Sequence, residues 1–376
     1  MNHPDPTTIP PAQTGAPWPP IPVRHSPARR LLGAGTAVVR IVRSVARAGR
    51  TIRARDHVSL TRQFLDQVWW YARHDFQPKD YYQFRLYDPI HRTRPGQYIN
   101  QRQNGRMLSR MLDPDALLWD KRAFARACAD HGLPTIPLLA EWRDGSLESF
   151  VDDWPDELYS KPARSKYGGG VDVRAWKGGR AVVPELTRFL EEHIGERGAV
   201  VQPCITNHED LVPYSNGRLS TMRLTGCHMP DGTVELLLPT LRMPVGSATL
   251  DNFGQGNLVA PIDPKTGRLG TGLSRDRDGV VSSVETHPDS GAVIAEGCVP
   301  FFEEACALCR RAHHAFPFPR MVGWDVAITR EGPVLVEGNY LFGTEASQVA
   351  HGAPLGQPCY LACAAHSRQP RGRSRA

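Results

Sequence analysis

The 376-residue chain lacks an apolar run long enough to cross a membrane. A transmembrane helix needs about 18 consecutive apolar residues, and the nearest candidate, residues 31–48, is interrupted by three arginines. The eight cysteines lack the paired spacing of a disulfide framework. We read no secretory signal ahead of them and expect a reduced, cytoplasmic setting. Cys306 and Cys309 lie three residues apart, and a core helix explains that spacing better than a zinc site does.

Acidic residues are absent from residues 24–55, which hold nine arginines, and the tail 366–376 adds four more. The positive charge of these two segments is larger than the net charge of +6 of the whole chain, so the body between them is acidic. An acidic body disfavours a nucleic-acid-binding protein, whose affinity depends on basic surfaces that contact phosphates.

Residues 1–27 are rich in proline, which predicts a disordered arm. Residues 28–115 are predicted to form a basic amphipathic helix to about residue 54 and then a helical, aromatic-rich lead-in. The basic helix has two interpretations. It could lie on the anionic inner face of a membrane, or pack on the body with its arginines in solvent. Because its apolar face lacks bulky aromatics, packing is favoured.

The remaining chain predicts an α+β protein of two lobes, residues 116–205 and 206–360, with a disordered basic tail at 361–376. In the first lobe, Asp120 is expected to cap a helix that runs to about Asp130. The other expected elements are strands at 157–161, 171–176 and 199–202, a helix at 184–193, strands within 220–243, a helix at 301–315 and a hairpin at 322–337.

The hairpin at 322–337 turns at Arg330-Glu331-Gly332. We interpret this as a three-residue loop with glycine at its left-handed position. Such a loop pairs Thr329 with Pro333 and, further along the ladder, places two acidic residues opposite each other.

Those two residues are Asp325 and Glu337, and Asn339 returns to the same face two positions later. Paired carboxylates between apolar neighbours repel each other unless a cation lies between them. Three oxygen ligands suit Mg²⁺, which is usually shared with nucleotide phosphates. The alternative is a solvated hairpin with incidental acids, which the apolar neighbours disfavour.

A second signal lies upstream, where strand residue Lys161 leads into a turn that contains Gly168, Gly169 and Gly170. Exposed backbone N–H groups of glycines approach phosphate oxygens closely. The segment has neither the P-loop ending nor the Rossmann glycine spacing. An ordinary flexible hairpin explains such a triplet equally well.

With Lys121 ahead of them, these signals resemble the ATP-grasp superfamily, and most closely its sugar-transfer-associated group, which is related to α-L-glutamate ligases. The resemblance covers residues 115–345. It is carried by Ser220-Thr221-Met222-Arg223, Asp251-Asn252-Phe253-Gly254, His287-Pro288-Asp289, Gly323-Trp324-Asp325 and Glu337-Gly338-Asn339. It implies an ATP-grasp fold whose two lobes clasp ATP, preceded by a mainly helical region.

The resemblance also implies site roles. Lys121 and Lys161 would contact nucleotide phosphates under the Gly168–Gly170 loop. Gln202 would lie at the hinge beside adenine and Glu209 would bind ribose, with residues 208 and 210 as rivals for the latter.

On the catalytic side, the resemblance implies Mg²⁺ ligation by Asp325, Glu337 and Asn339 and charge stabilisation by Arg223. A surface arginine in an exposed pair is the alternative for Arg223. The weaker substrate-side candidates are Arg242, Asp251, Asn252 and His287.

The implied reaction is ATP-dependent ligation of a carboxylate to an amine through an acyl phosphate. The substrates would be small or glycan-linked molecules, in a cell-surface polysaccharide or natural-product pathway suggested by the family name alone. A phosphotransferase and a non-catalytic nucleotide-binding module are the alternatives. Many ATP-grasp enzymes begin with a Rossmann-like lobe, which residues 1–115 do not resemble, so the acceptor site is not located.

Overall fold

The N-terminal part of the protein is helical, as expected. A computed structural model describes residues 27–92, 97–109, 117–164, 173–246, 253–316 and 319–366. Before residue 110 the described chain forms α1 (Pro27–Asp56), α2 (Leu60–His74), α3 (Pro78–Gln83), α4 (Pro89–Arg92) and α5 (Gln101–Leu108).

The predicted basic helix is confirmed as α1, and one of its faces packs on the body. Ile41, Val45 and Ile52 are buried at helical spacing. The aromatic residues that follow form core, because Tyr81 and Tyr82 have no exposed surface. The chain between residues 41 and 87 is therefore folded onto the body.

The first sheet has five antiparallel strands in the order β2-β1-β5-β3-β4. These strands are β1 (Ala140–Arg143), β2 (Ser146–Ser149), β3 (Glu157–Pro162), β4 (Arg174–Lys177) and β5 (Ala199–Pro203). They are accompanied by α6 (Lys121–Asp130) and α7 (Val183–His193). Helix α6 begins as predicted, since the Asp120 carboxylate accepts a hydrogen bond from the Arg122 backbone N–H at 2.9 Å.

The second sheet has seven antiparallel strands in the order β10-β9-β8-β7-β6-β11-β12. These are β6 (Thr221–His228), β7 (Val234–Met243), β8 (Leu258–Pro261), β9 (Gly272–Arg275), β10 (Val281–Val284), β11 (Met321–Thr329) and β12 (Gly332–Asn339). Three helices follow or separate them, namely α8 (Phe302–Ala315), α9 (Glu345–His351) and α10 (Pro358–His366). The expected disordered tail at 361–376 is therefore wrong for residues 361–366, which belong to α10. Strand β11 is buried along its whole length, although it lies next to the edge strand β12.

The predicted three-residue loop of the β11–β12 hairpin is wrong. Thr329 pairs with Gly332, not with Pro333, so the turn is one residue tighter than expected. Asp325 nevertheless lies opposite Glu337, because the register shifts between Asp325 and its successor. A β-bulge supplies the extra residue that the turn does not.

Candidate functional site

Asp325 lies at the centre of a buried cluster on the second sheet. Its carboxylate is 2% exposed. Arg223 on β6 binds it through two hydrogen bonds, Nε to Oδ1 at 2.5 Å and Nη2 to Oδ2 at 3.0 Å. Arg242 on β7 adds an ion pair from Nη2 to Oδ2 at 3.0 Å. Burial alone would raise the pKa of Asp325, but the two arginines outweigh it and hold that pKa below its usual range.

Glu337 and Asn339 on β12 complete the cluster on the same face. The Asn339 amide Nδ2 donates to Asp325 Oδ2 and to Glu337 Oε1, each at 2.9 Å. Both carboxylates therefore lie within hydrogen-bond reach of one atom. The predicted convergence of these three side chains is confirmed, while their role as metal ligands stays a prediction.

The cluster fits a hard divalent cation by its donor chemistry. Two carboxylates and one amide supply oxygen ligands of the kind that Mg²⁺ takes. The Asn339 amide group lies between the two carboxylates, and rotation of that amide would present its oxygen to a cation there. Asp325 Oδ2 already accepts from Arg223, Arg242 and Asn339. The Glu337 carboxylate therefore has more capacity than that of Asp325 to bind a cation.

Two lysines from the other lobe face Glu337. Lys121 is the first residue of α6 and Lys161 lies on β3. The backbone N–H of Lys121 donates to the Ala163 carbonyl at 2.9 Å, which fixes the start of α6 beside the end of β3. Burial lowers the pKa of Lys121, and the charge of Glu337 partly opposes that effect. Burial and the repulsion from Lys121 lower the pKa of Lys161 to about 8.

Taken together, the site carries more positive than negative charge. Arg223, Arg242, Lys121 and Lys161 surround the carboxylates of Asp325 and Glu337. A polyanion such as a triphosphate would offset this excess.

Gln202 is buried at the end region of β5, with 6% of its surface exposed. Its Nε2 donates to the Ile136 carbonyl at 3.0 Å, which orients the amide. The Oε1 atom is buried and has no hydrogen-bond partner among the residues that the structure describes. An acceptor of this kind would be satisfied by an amino group such as that of adenine.

Glu209 has a different environment. It is exposed at the surface, at the start of a short 3₁₀ helix, Glu209–Tyr214. Its carboxylate lies 3.3 Å from Arg330 in the β11–β12 turn. His208 precedes it and donates its backbone N–H to the Ile328 carbonyl. A ribose-binding role for Glu209 stays a prediction.

The substrate-side candidates divide into three groups. Arg242 is part of the Asp325 cluster itself. His287 is fully buried, and its Nε2 lies 3.1 Å from the Pro244 carbonyl, which suits a role in holding the chain after β7. Asp251 and Asn252 lie outside the described residues, as do Gly168, Gly169 and Gly170.

Helix α8, which carries Cys306 and His313, buries one face in the core, as expected. Cys309 and His313 have no exposed surface, and the Trp324 indole donates to His313 Nδ1 at 3.3 Å. In the described ranges there is no group of three or more His, Cys, Asp or Glu side chains placed to hold a metal ion.

Arg242 was expected as a substrate-side residue and not as a partner of Asp325. Strand pairing puts Arg242 opposite Thr221, whose hydroxyl accepts from its Nε at 3.1 Å. Thr221 lies two residues before Arg223, so both arginines share one face of the sheet. The alternation in β6 and β7 could have shown this, had the register between the two strands been known. The alternative for Arg223, a solvent-exposed pair, is wrong because Arg223 is 8% exposed.

Two antiparallel sheets with a cationic, carboxylate-bearing site define a protein of the ATP-grasp fold class. A family model described as "Sugar-transfer associated ATP-grasp" matches residues 100–359. The chain belongs to this family.

Solved structures resemble the chain more distantly. A D-alanyl-alanine synthetase A from Vibrio cholerae is 11% identical with a TM-score of 0.39, and the match covers 66% of this chain and 65% of that one. An L-amino acid ligase from Bacillus licheniformis is 12% identical with a TM-score of 0.38, over 66% of this chain and 48% of that one. The chain thus spans about half to two thirds of the solved chains. No curated protein matches it.

Proposed function

We propose that this protein is an ATP-dependent carboxylate–amine ligase. The observation that carries the proposal is the cluster of Asp325, Glu337 and Asn339 faced by two arginines and two lysines. Positioned cations around oxygen ligands are what phosphoryl transfer requires, because negative charge spreads over the transferring group.

Each residue then has a defined task. Lys121 and Lys161 bind the triphosphate, and Gln202 Oε1 accepts a hydrogen bond from adenine. Arg223 and Arg242 hold Asp325 ionised and in place. Bound Mg²⁺, held by Asp325, Glu337 and Asn339, would orient the phosphates and offset their charge.

The proposed reaction has two steps and needs no protein nucleophile. A substrate carboxylate oxygen attacks the γ-phosphorus of ATP, the bond from that phosphorus to the β–γ bridging oxygen breaks, and ADP leaves. An amine nitrogen then attacks the acyl carbon, the acyl C–O bond breaks and phosphate leaves. The nitrogen loses its proton, so the products are an amide, ADP, phosphate and a proton.

Glu337→Gln is the sharpest test of the site. The purified variant should keep the wild-type melting temperature but lose ADP release by roughly 10²-fold or more, as measured while carboxylate and amine pairs are screened with mass detection of the product. Glu331→Gln is the matched control, because it makes the same change at an exposed position of the same hairpin and should leave ADP release unchanged.

Asp325→Asn is a less specific test. It leaves Arg223 and Arg242 buried without their counter-charge, which costs about 3–5 kcal/mol of stability. Wild-type turnover by Glu337→Gln would contradict the proposed site. ADP formation with a phosphorylated product and no free phosphate would identify a phosphotransferase instead, and MgATP binding without turnover would identify a binding module.

A further inference from the structure

Helices α1 and α2 form an antiparallel pair at the N-terminal end of the described chain. A short connection joins them, and Gln63 Nε2 donates to the Gly49 carbonyl at 3.0 Å. The two helices approach closely at Gly49, where an added Cβ would lie 2.9 Å from a Leu60 methyl group and would displace it. The pair is therefore tightly packed, and the side that faces the body forms part of the core.

The outward side of this pair is apolar to an unusual degree. Val38, Val39 and Val42 on α1 are 42%, 48% and 51% exposed, and Leu65 and Trp69 on α2 are 60% and 47% exposed. On α1 the positions 38, 42 and 46 follow one another at four-residue spacing, as do 65 and 69 on α2, so each helix presents a stripe.

An open groove of about 260 Å³ lies between the two helices. It is lined by Val42, Val45, Ala46, Arg50, Leu60 and Phe64. Exposed apolar surface that is contiguous and rimmed by polar side chains marks an interaction site. We call this surface, with the stripes beside it, the α1–α2 outer face.

The charge on the outer face has one sign. The exposed side chains next to the apolar stripes on α1 include Arg43, Arg50 and Arg53. Asp56 and Asp66 are the only acidic residues between residues 27 and 74. Both of these carboxylates contact other side chains.

Asp66 is 7% exposed and accepts a hydrogen bond from the Tyr81 hydroxyl, while Asp56 is half-buried and pairs with Arg55 at 2.9 Å. Arg47 is ion-paired with Asp278 at 3.0 Å and so belongs partly to the fold. On α2, Arg62 lies 3.6 Å from Asp66, whereas Arg43 and Arg50 have no acidic residue within four positions on α1.

We propose that the α1–α2 outer face docks on an anionic lipid surface. Apolar side chains that enter the headgroup boundary, flanked by arginines that meet anionic headgroups, are the two components of interfacial membrane binding. The aromatic residue that α1 lacks is supplied by α2, as Trp69, and indole rings favour that boundary. In the ranges described, no helix is long and apolar enough to span a bilayer.

Two other partners fit the outer face less well. A second copy of the chain, facing the first across a two-fold axis, would set Arg43 and Arg50 against their own counterparts. A nucleic acid would use the arginines but would leave Val38, Val42 and Leu65 in water. An anionic lipid surface is the partner that contacts both the apolar stripes and the arginines.

The test is cosedimentation of the full-length protein with vesicles of phosphatidylcholine alone and of equal parts phosphatidylcholine and phosphatidylglycerol. We expect binding to the mixed vesicles only, and binding that weakens as salt is added. The charge variant Arg43→Glu/Arg50→Glu should bind roughly ten-fold more weakly or worse. The apolar variant Val42→Asp/Leu65→Asp should lose binding as well, because both positions must enter the boundary.

Arg188→Glu/Arg311→Glu is the matched control, with the same charge change at exposed positions of α7 and α8. It should bind as the wild type does. The proposal is overturned if the control weakens binding as much as the charge variant, or if neither vesicle binds. It is also overturned if the apolar variant binds normally while the arginines matter only for added nucleic acid, or if the apolar variant turns a wild-type dimer into a monomer in sedimentation equilibrium. ATP turnover should be unaltered in all three variants, so failure here leaves the proposed ligase activity untouched.

Discussion

Asp325 and Glu337 are opposite each other but differ in what neutralises them. The Asp325 carboxylate is matched by Arg223 and Arg242, so it does not need a metal ion to remain ionised. The pairing of Asp325 with Glu337 therefore does not by itself require a cation between the two carboxylates. Glu337 faces lysines whose own pKa values are lowered by burial. A bound cation would compete with these lysines for Glu337 and release them towards phosphate.

Asp80 illustrates how burial makes stability depend on pH. It is 7% exposed at the start of α3, where Oδ2 accepts from the Gln77 backbone N–H and Oδ1 from Gln83 Nε2. Burial raises the pKa of Asp80 from 3.8 to about 7, opposed by the Gln77 hydrogen bond and reinforced by Glu345. The folded state therefore binds this proton more tightly than the unfolded state does.

Stability contributed by the neutral form of Asp80 should be present at low pH and be lost as the pH rises from about 4 to about 7. Asp80→Asn removes that titration, so its stability relative to the wild type should increase over this range by up to a few kcal/mol. Urea unfolding of both proteins at pH 5, 6, 7 and 8 would measure the difference. A difference that does not change with pH would show that Asp80 titrates normally.

The β11–β12 hairpin shows what could be predicted from the sequence and what could not. Alternation placed both strands, and the pairing of Asp325 with Glu337 was predicted correctly, yet for the wrong reason. Two deviations cancel: the turn is shorter, and a bulge follows at Asp325. The alternation pattern does not distinguish a three-residue turn from a shorter turn followed by a bulge, because both place Asp325 opposite Glu337.

The same limit applies to the larger site. Helix α6 and its Asp120 cap are determined by residues close to each other in the sequence, and both were predicted. The ion pair of Arg242 with Asp325 joins two strands, β7 and β11, that are separated in the sheet by β6, and it was not predicted. The orientation of the buried Gln202 amide also depends on a contact that is distant in sequence, because its partner Ile136 belongs to a different segment.

Gly338 couples the hairpin to the lobe that carries Lys121. It lies between Glu337 and Asn339, and an added Cβ would lie 2.7 Å from the Trp324 ring and 2.8 Å from a Leu118 methyl group. Gly338→Ala should therefore shift β12, cost about 1–3 kcal/mol and reduce ADP release, since it moves both Glu337 and Asn339. Urea unfolding and ADP release would be measured together.

Gly105→Ala is the matched control for Gly338→Ala. Gly105 lies within α5 and an added Cβ there meets nothing within 4 Å. The change should be neutral or stabilising by about 0.5–1 kcal/mol, because alanine is the better helix former. Equal behaviour of the two variants would mean that Gly338 is not a packing constraint.

At the scale of the whole molecule, the N-terminal helices and the second sheet share one core. Ala48 and Ile52 of α1 belong to the same buried cluster as Tyr82 of α3, Val259 of β8 and Val349 of α9. Arg55 extends this contact by donating to the Val281 carbonyl of β10 at 2.7 Å. Removal of residues 1–55 would open this core, so truncation cannot separate membrane docking from folding, whereas exposed point variants can.

Because the core is shared, shortening a buried side chain of α1 should destabilise the whole protein. Ile52 has no exposed surface, so Ile52→Ala should cost about 2–5 kcal/mol. Val42→Ala, on the exposed side of the same helix, should stay within about 0.5 kcal/mol of the wild type. Tryptophan fluorescence and far-UV circular dichroism should report one coincident urea transition that moves only in Ile52→Ala. If α1 were an independent appendage, Ile52→Ala would leave the main transition in place, and the two probes would separate as the helix melted first.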